Sequence, residues 1–436
     1  MGKDDRLALE GGPRAITVPH VDQYPQITEE EIAAVVDVTR KGQISIGDGT
    51  GIIGEFEQNF KTMVGTRYAL AQCNGTSCLH SAFFAAGVSF GDEVIVPSYT
   101  WHASISPILH CGGTPVFCDI DPRTHTADPR DIKRNITPRT KAIAVTHVYG
   151  NIAEMDAIME IASEHNLIVI EDASHAHGGS YDGKQVGSIG HMGCFSLQGS
   201  KPVTGGEAGI ITTDDTELYE RILILGHYGR IARDLVTDKY RPLHNIGLGI
   251  KYRAHPLACA MANVQLKRLP ELNEKRRRSF AVLDEGLGRI PGIHPVEVLP
   301  KAVRGGLLAY TATYDAEVVG ASLFAFLTAL QAEGCATAPT ITPYGSGRMH
   351  LEPVFNDFPF DGLGGPWGSP GGDHRKPHAP GSLPVSERVA ASVFWLPVFT
   401  DPEPGLLEQY IGAVEKVVRR ADRLLSLVKE PAPASV

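Results

Sequence analysis

Apolar and polar positions alternate along this chain between two periods. Short apolar runs at Glu93–Pro97, 114–119, 141–148, 167–170 and 194–197 are the right length for strands buried on both faces. Between them lie segments with helical spacing: 29–40 capped by Thr28, 55–64, a helix opened by Thr76 and Ser77 that runs through Phe83 to Ala86, 129–135 and 154–165. Strand and helix alternating at βαβ spacing predict an α/β fold with a mostly parallel central sheet. Asp214 and Asp215 end the AGIITTDD strand and cap a further helix.

The pattern changes after a poorly periodic stretch, 226–250. From Pro256 onward Leu257, Val264 and Leu269 recur at helical spacing, and a strand at 309–314 and helices at 321–333 and 403–427 follow. The last helix carries an apolar stripe of Leu407, Ile411, Val414, Val418, Ala421 and Leu425. The expected organisation is an amino-terminal arm (1–27), a large domain (28–255) and a smaller α+β carboxy-terminal domain (256–436). A Gly/Pro-rich insertion, 356–383, is too long for a routine connection and reads as an exposed loop, with a lid, a substrate wall or plain disorder as the alternatives its composition leaves open.

Composition narrows the function. With 436 residues there is room for two cores. The 40 basic and 50 acidic residues give a net charge of -10, with no block of like charge, which argues against nucleic acid or an anionic membrane as the main partner. The one basic run, Lys275 to Arg278, reads as a solvated helix face. No signal peptide, myristoylation site or membrane-length apolar run is seen, so a soluble, cytoplasmic protein is expected. Seven cysteines without a Cys-x-x-Cys pair suit buried free thiols better than disulfides or zinc, and no metal site is expected.

The chemistry gathers at strand ends. The run 167–170 leads directly into Glu171 and Asp172; the run 194–197 leads, through Gln198, Gly199 and Ser200, to the single lysine Lys201, among Gly205, Gly206 and Gly209. An acid and a lone lysine at neighbouring strand ends suit an aldehyde cofactor with a pyridine ring, which needs a lysine amine for its Schiff base and a carboxylate to keep the ring nitrogen protonated. From spacing alone, Asp172 as a loop cap and Lys201 as a solvated charge is the commoner reading, because acids at strand ends are common in any doubly wound sheet. Asn74-Gly75-Thr76-Ser77 opens a helix and makes an anion site or an ordinary N-cap. Trp101, after the strand Glu93–Pro97, can stack on a flat ring or fill the core. His175, three residues after Asp172, is a ring contact or a structural histidine.

EDASHAHG followed by FSLQGSKPVTGGEAG resembles the active-site signature of the DegT/DnrJ/EryC1/StrS family, as do TPRTKAIAVTHVYGNIAEMDAI and GLGIKYRAHPLACAMANVQLKRL, in the family's order, from about Ile44 to Val418. The resemblance implies a pyridoxal phosphate (PLP) enzyme of fold type I. Lys201 would hold the cofactor and Asp172 its ring nitrogen. Gly75, Thr76, Ser77 and Ser196 would hold its phosphate, Trp101 would stack on the ring, and His175 would stand where many members carry a Gln that contacts the ring hydroxyl. Lys251 fills a slot where members usually have an Asn that reaches the phosphate of the neighbouring subunit. The implied protein is a homodimeric aminotransferase with shared active sites, which converts a keto sugar, nucleotide-linked, or a keto-cyclitol to its amine with glutamate or glutamine as donor, in secondary-metabolite or cell-surface sugar biosynthesis. A dehydratase of deoxysugar or aminoshikimate type and a catalytically idle PLP-binding regulator are the alternatives; retention of Lys201 argues against the dehydratases that lack the lysine.

Overall fold

The computed structural model describes residues 5–21, 24–337, 347–356 and 378–429. Most of the 356–383 insertion therefore lies outside the described residues. The centre is a seven-stranded sheet built from β1 (Tyr68–Gln72), β2 (Glu93–Pro97), β3 (Thr114–Cys118), β4 (Thr140–Thr146), β5 (Ile168–Asp172), β6 (Met192–Ser196) and β7 (Gly209–Thr213), in the order β1-β7-β6-β5-β4-β2-β3. Strands β2 to β6 run parallel to one another, and β7 runs antiparallel to both β1 and β6. The mostly parallel sheet predicted by the alternating pattern is present. All strands but β7 bring their carboxyl ends to one edge, where ligands of such sheets gather.

Sequence pattern and structure agree because the apolar runs have two packed faces to fill. Ile95, Ile143, Val145 and Val169 point into one core with the helix Gly51–Val64; Val94, Val96, Ala144 and Ile170 point into another with the helix Gly75–Ala85. The helix Glu29–Arg40 starts at Thr28 as expected, with the Thr28 side chain accepting from the Glu30 N–H. The helix expected at 55–64 begins earlier, at Gly51.

The long helix Pro256–Leu287 runs through two cores. Ala258, Cys259, Ala262, Leu266 and Leu269 pack with the large sheet, whereas Phe280, Leu283 and Leu287 pack with a second core around the three-stranded sheet of β8 (Ile293–Pro295), β9 (Tyr310–Tyr314) and β10 (Val393–Leu396). The amino-terminal segment lies on this second core: Leu7 is buried in it, and the Ala8 and Ala15 N–H groups donate to the Glu333 carboxylate.

Two sequence expectations change. The run Lys275–Arg278 is not wholly a solvated face, because Arg276 is buried, with its guanidinium over the Tyr24 ring at 4.7 Å and donating to the Gly306 carbonyl at 3.3 Å; Arg278 remains outside. A helix turns each successive residue by about 100°, so four consecutive cations cannot share one face. The carboxy-terminal helix is two helices, Leu406–Arg419 and Ala421–Leu427, and the break at Arg420 resets the apolar phase. Leu424 is buried in place of Leu425, which is 74% exposed.

Among the described residues no helix is long and apolar enough to cross a membrane. All seven cysteines are free.

Candidate active site

Asp172 is the last residue of β5 and is buried. Its Oδ2 accepts from the Ser104 hydroxyl at 2.6 Å and its Oδ1 from the Ser174 N–H at 3.1 Å. The Ser104 hydroxyl continues to Thr100 at 2.9 Å, and Thr100 to Thr146 at 2.8 Å, so a chain of three hydroxyls from the end of β4 and the segment after β2 backs the carboxylate. Charge-assisted bonds of this kind hold a carboxylate in one orientation.

Lys201 follows β6 in a tight turn, its N–H bonded to the Gln198 carbonyl at 2.8 Å. Burial lowers the pKa of its amine, and the charge of Asp172 acts in the opposite direction. The amine is also felt on the other side of the site: His175 and His177 are held well below the ordinary imidazole value, first by burial and then by Lys201. Asp172, His175 and Lys201 thus share one electrostatic environment, although 26 and 29 residues separate the lysine from the other two.

Ser196 ends β6, and its N–H donates to the Ser174 hydroxyl at 3.1 Å. It lies against the start of the helix Gly75–Ala85: a Cβ added to Gly75 would come within 2.7 Å of the Ser196 Cβ, and one added to Gly209 within 2.5 Å of the Asn74 carbonyl. Both positions need glycine for this close approach, which brings Ser196 and the start of β7 against the amino-terminal turn of the helix.

Thr76 and Ser77, both implied by the resemblance to hold the phosphate, differ at the helix start. The Ser77 hydroxyl donates to the Asn74 carbonyl at 2.7 Å, and the Ser77 N–H donates to the Asn74 side chain at 2.8 Å. Ser77 is committed to the cap, and Thr76 is the exposed hydroxyl.

Trp101 follows β2 and is 40% exposed, its ring 4.7 Å from that of His102. His175 is half-buried; its Nδ1 accepts from the Tyr149 N–H at 3.3 Å and its ring stacks on that of Tyr149 at 5.7 Å. Lys251 is exposed, on a strip that pairs antiparallel with the end of β1: Arg253 is bridged to Gln72, and the Cys73 N–H donates to the Tyr252 carbonyl at 2.6 Å. Lys251 itself is bridged, antiparallel, to His227.

The sequence reading missed Ser104, Thr100, Thr146, Ser174 and Tyr149. Thr100, Thr146, Ser174 and Tyr149 stand at or within a few residues of the carboxyl end of a parallel strand, the one signal that could have marked them, whereas Ser104 lies further on, in the short helical turn His102–Ser104.

The model of the DegT/DnrJ/EryC1/StrS aminotransferase family matches residues 25–358. A GDP-perosamine synthase of Caulobacter vibrioides is 42% identical over 238 residues, 55% of this chain and 62% of that protein, so the match spans less than two thirds of its length. A protein of Streptoalloteichus tenebrarius described as a putative L-glutamine:3-amino-2,3-dideoxy-scyllo-inosose aminotransferase is 34% identical over 430 residues, 96% of this chain and 99% of that one. Among solved structures, DesI in the presence of its TDP-sugar product superposes with a TM-score of 0.78 at 30% identity, covering 96% of this chain and 98% of that one. With a family model over most of its length and a full-length relative of this similarity, the chain belongs to the DegT/DnrJ/EryC1/StrS aminotransferase family and is a transaminase.

Proposed function

We propose that the protein uses PLP to transfer an amino group from glutamine, or glutamate, to a keto sugar carried on a nucleotide or to a keto-cyclitol. One observation carries the reading: Asp172, Lys201, Ser196 and the glycines Gly75 and Gly209 meet at the carboxyl edge of one sheet. The substrate class rests on the relatives, whose names describe perosamine synthesis and glutamine-dependent cyclitol amination. The seven free thiols suit a cytoplasmic setting.

The residues present fit the cofactor. Backbone N–H groups at Gly75 and Thr76, with the Thr76 and Ser196 hydroxyls, suit a phosphate at a helix start. When bound, PLP supplies an aldehyde carbon open to an amine and a ring that takes up electrons from the substrate carbon. Asp172 would hold a proton on the ring nitrogen, with Ser104 and Ser174 fixing its direction. Lys201, its amine pKa lowered by burial, would attack as the neutral amine and, once displaced, move a proton to and from the substrate carbon through Nζ. Trp101 would cover the ring face and His175 would face the ring hydroxyl.

Borohydride reduction of the loaded protein followed by peptide mass spectrometry tests this reading. The adduct is expected on Lys201 and absent from Lys201→Ala, which should also lose turnover; an adduct on another lysine would sink the assignment.

We also propose a homodimer with shared sites, in which Lys251 of one subunit reaches the phosphate of the other. The bridge of Arg253 to Gln72, at the end of β1 in the same chain, supports a second reading, in which Lys251 serves its own chain. Mixing inactive Lys201→Ala and Lys251→Ala proteins under subunit exchange separates the two: the shared site restores roughly a quarter of wild-type activity by random pairing, and the own-chain site restores none.

A further inference from the structure

We propose that Tyr149 locks His175 into a single neutral form, with its ring proton on Nε2, so that His175 meets its ligand only as a hydrogen-bond donor. The proposal rests on the PLP reading above for the identity of that ligand, an oxygen on the cofactor ring.

Tyr149 sits in the left-handed region, at φ 50° and ψ 21°, and Gly150 follows at φ 90°. A tyrosine has no intrinsic preference for this conformation, and such outliers persist where the surroundings over-determine them. The surroundings here are tight, since a Cβ at Gly150 would lie 2.4 Å from the Gly305 carbonyl oxygen and 2.9 Å from the Leu307 nitrogen. The reversal aims the Tyr149 N–H at Nδ1 of His175 and lays the tyrosine ring nearly parallel to the imidazole, at an interplanar angle of 29°. One residue thus fixes both the direction and the plane of the histidine ring.

The consequence follows from bonding rules alone. A peptide N–H only donates, so Nδ1 must offer its lone pair, and the one proton of a neutral imidazole stands on Nε2. Burial and the neighbouring Lys201 and His177 favour the neutral ring. Among the described residues Nε2 has no hydrogen-bond partner, which leaves it for the contents of the site. A glutamine amide at this position can turn over and present either its oxygen or its NH2. His175, held as it is, presents N–H only, and an oxygen in front of it must accept. For the ring oxygen of PLP this selects the deprotonated form. Tyr149 is therefore a positioning residue that acts through His175.

Full-length deuterated protein with nitrogen-15 histidine, recorded with and without PLP in two-bond proton–nitrogen correlation spectra, reads the tautomer directly, and His175→Gln identifies the signals. The Nε2–H pattern is expected in both states; an Nδ1–H pattern or a protonated ring near neutral pH overturns the proposal. Tyr149→Asn, which tolerates the left-handed turn and keeps the N–H, should retain the single form. Tyr149→Val resists that turn. If it folds, the ring should show both tautomers in exchange, with cofactor retention on dialysis reduced roughly several-fold, as expected for one lost polar contact; a pure Nε2–H pattern in that variant counts against Tyr149. If Tyr149→Val does not fold, the wild-type and Asn spectra decide. Failure of PLP to bind while the tautomer stands as described would sink the cofactor reading and leave this one intact.

Discussion

Glu171 and Asp172 are neighbours on one strand and have the same functional group, yet they are used in opposite ways. Successive side chains on a strand face opposite sides of the sheet. Glu171 turns into the protein and is saturated: its oxygens accept from the N–H groups of Gly187, Ile189 and Gly190 at 2.9, 2.9 and 2.7 Å and from Nε2 of His147 at 3.0 Å. His147 in turn accepts from the Ala153 N–H through Nδ1, so it donates to Glu171 as a neutral ring. Asp172 turns toward Lys201, and among the described residues its carboxylate accepts only from Ser104 and Ser174. One carboxylate closes the loop 187–190 against the sheet, and the other keeps bonding capacity for chemistry. A strand end can therefore carry a structural and a functional acid one residue apart, distinguished by which face has backbone donors.

The largest effect that would test this contrast is on turnover. Asp172→Asn, which is nearly isosteric but cannot hold a proton on the cofactor ring, is expected to retain PLP and to lose about 10²-fold or more in kcat. Near-normal rates would move Asp172 into the structural class with Glu171.

Glu171→Gln is expected to act on stability instead, because the amide puts an N–H₂ where backbone donors already point. The loss should be about 3 kcal/mol in urea unfolding, with kcat per folded molecule changed much less. A stable Glu171→Gln protein that has lost turnover would break the comparison.

The smallest effect is a shift in titration. Trapping of a small aldehyde on Lys201 of the cofactor-free protein should rise with pH through a midpoint below the ordinary lysine range, because burial disfavours the ammonium form. The negative charge of Asp172 raises that midpoint, so Asp172→Asn should lower it further. Glu171→Gln should leave it in place. A midpoint that moved upward in Asp172→Asn would show that the two groups do not face each other.

How much of the site was legible follows from the range over which each signal acts. Asp172 and Lys201 were readable as candidates because each stands shortly after a short apolar run, and such a run needs only its own residues to be recognised. Gly75 was readable for the same local reason. The hydroxyl chain Thr146–Thr100–Ser104 was not, since Thr146 ends β4 while Thr100 and Ser104 lie in the segment after β2, and they meet only when β2 and β4 lie side by side. Arg276 was misread with its basic neighbours because charge in a row says nothing of which helix face has a partner waiting. The left-handed Tyr149 left no local sign beyond the glycine after it.

The amino-acid sequence by itself determined the α/β class, the strands that bring acid and lysine to one edge, and the glycines that leave room beside them. Those features follow from periodicity and from the absence of side chains, which are properties of short segments. The tertiary structure alone decided that Ser77 belongs to a cap, that Glu171 is spent on the fold while Asp172 is not, and which nitrogen of His175 accepts. Each of those depends on a donor or acceptor brought from elsewhere, and a hydrogen bond is satisfied by a partner in space, whatever its distance along the chain.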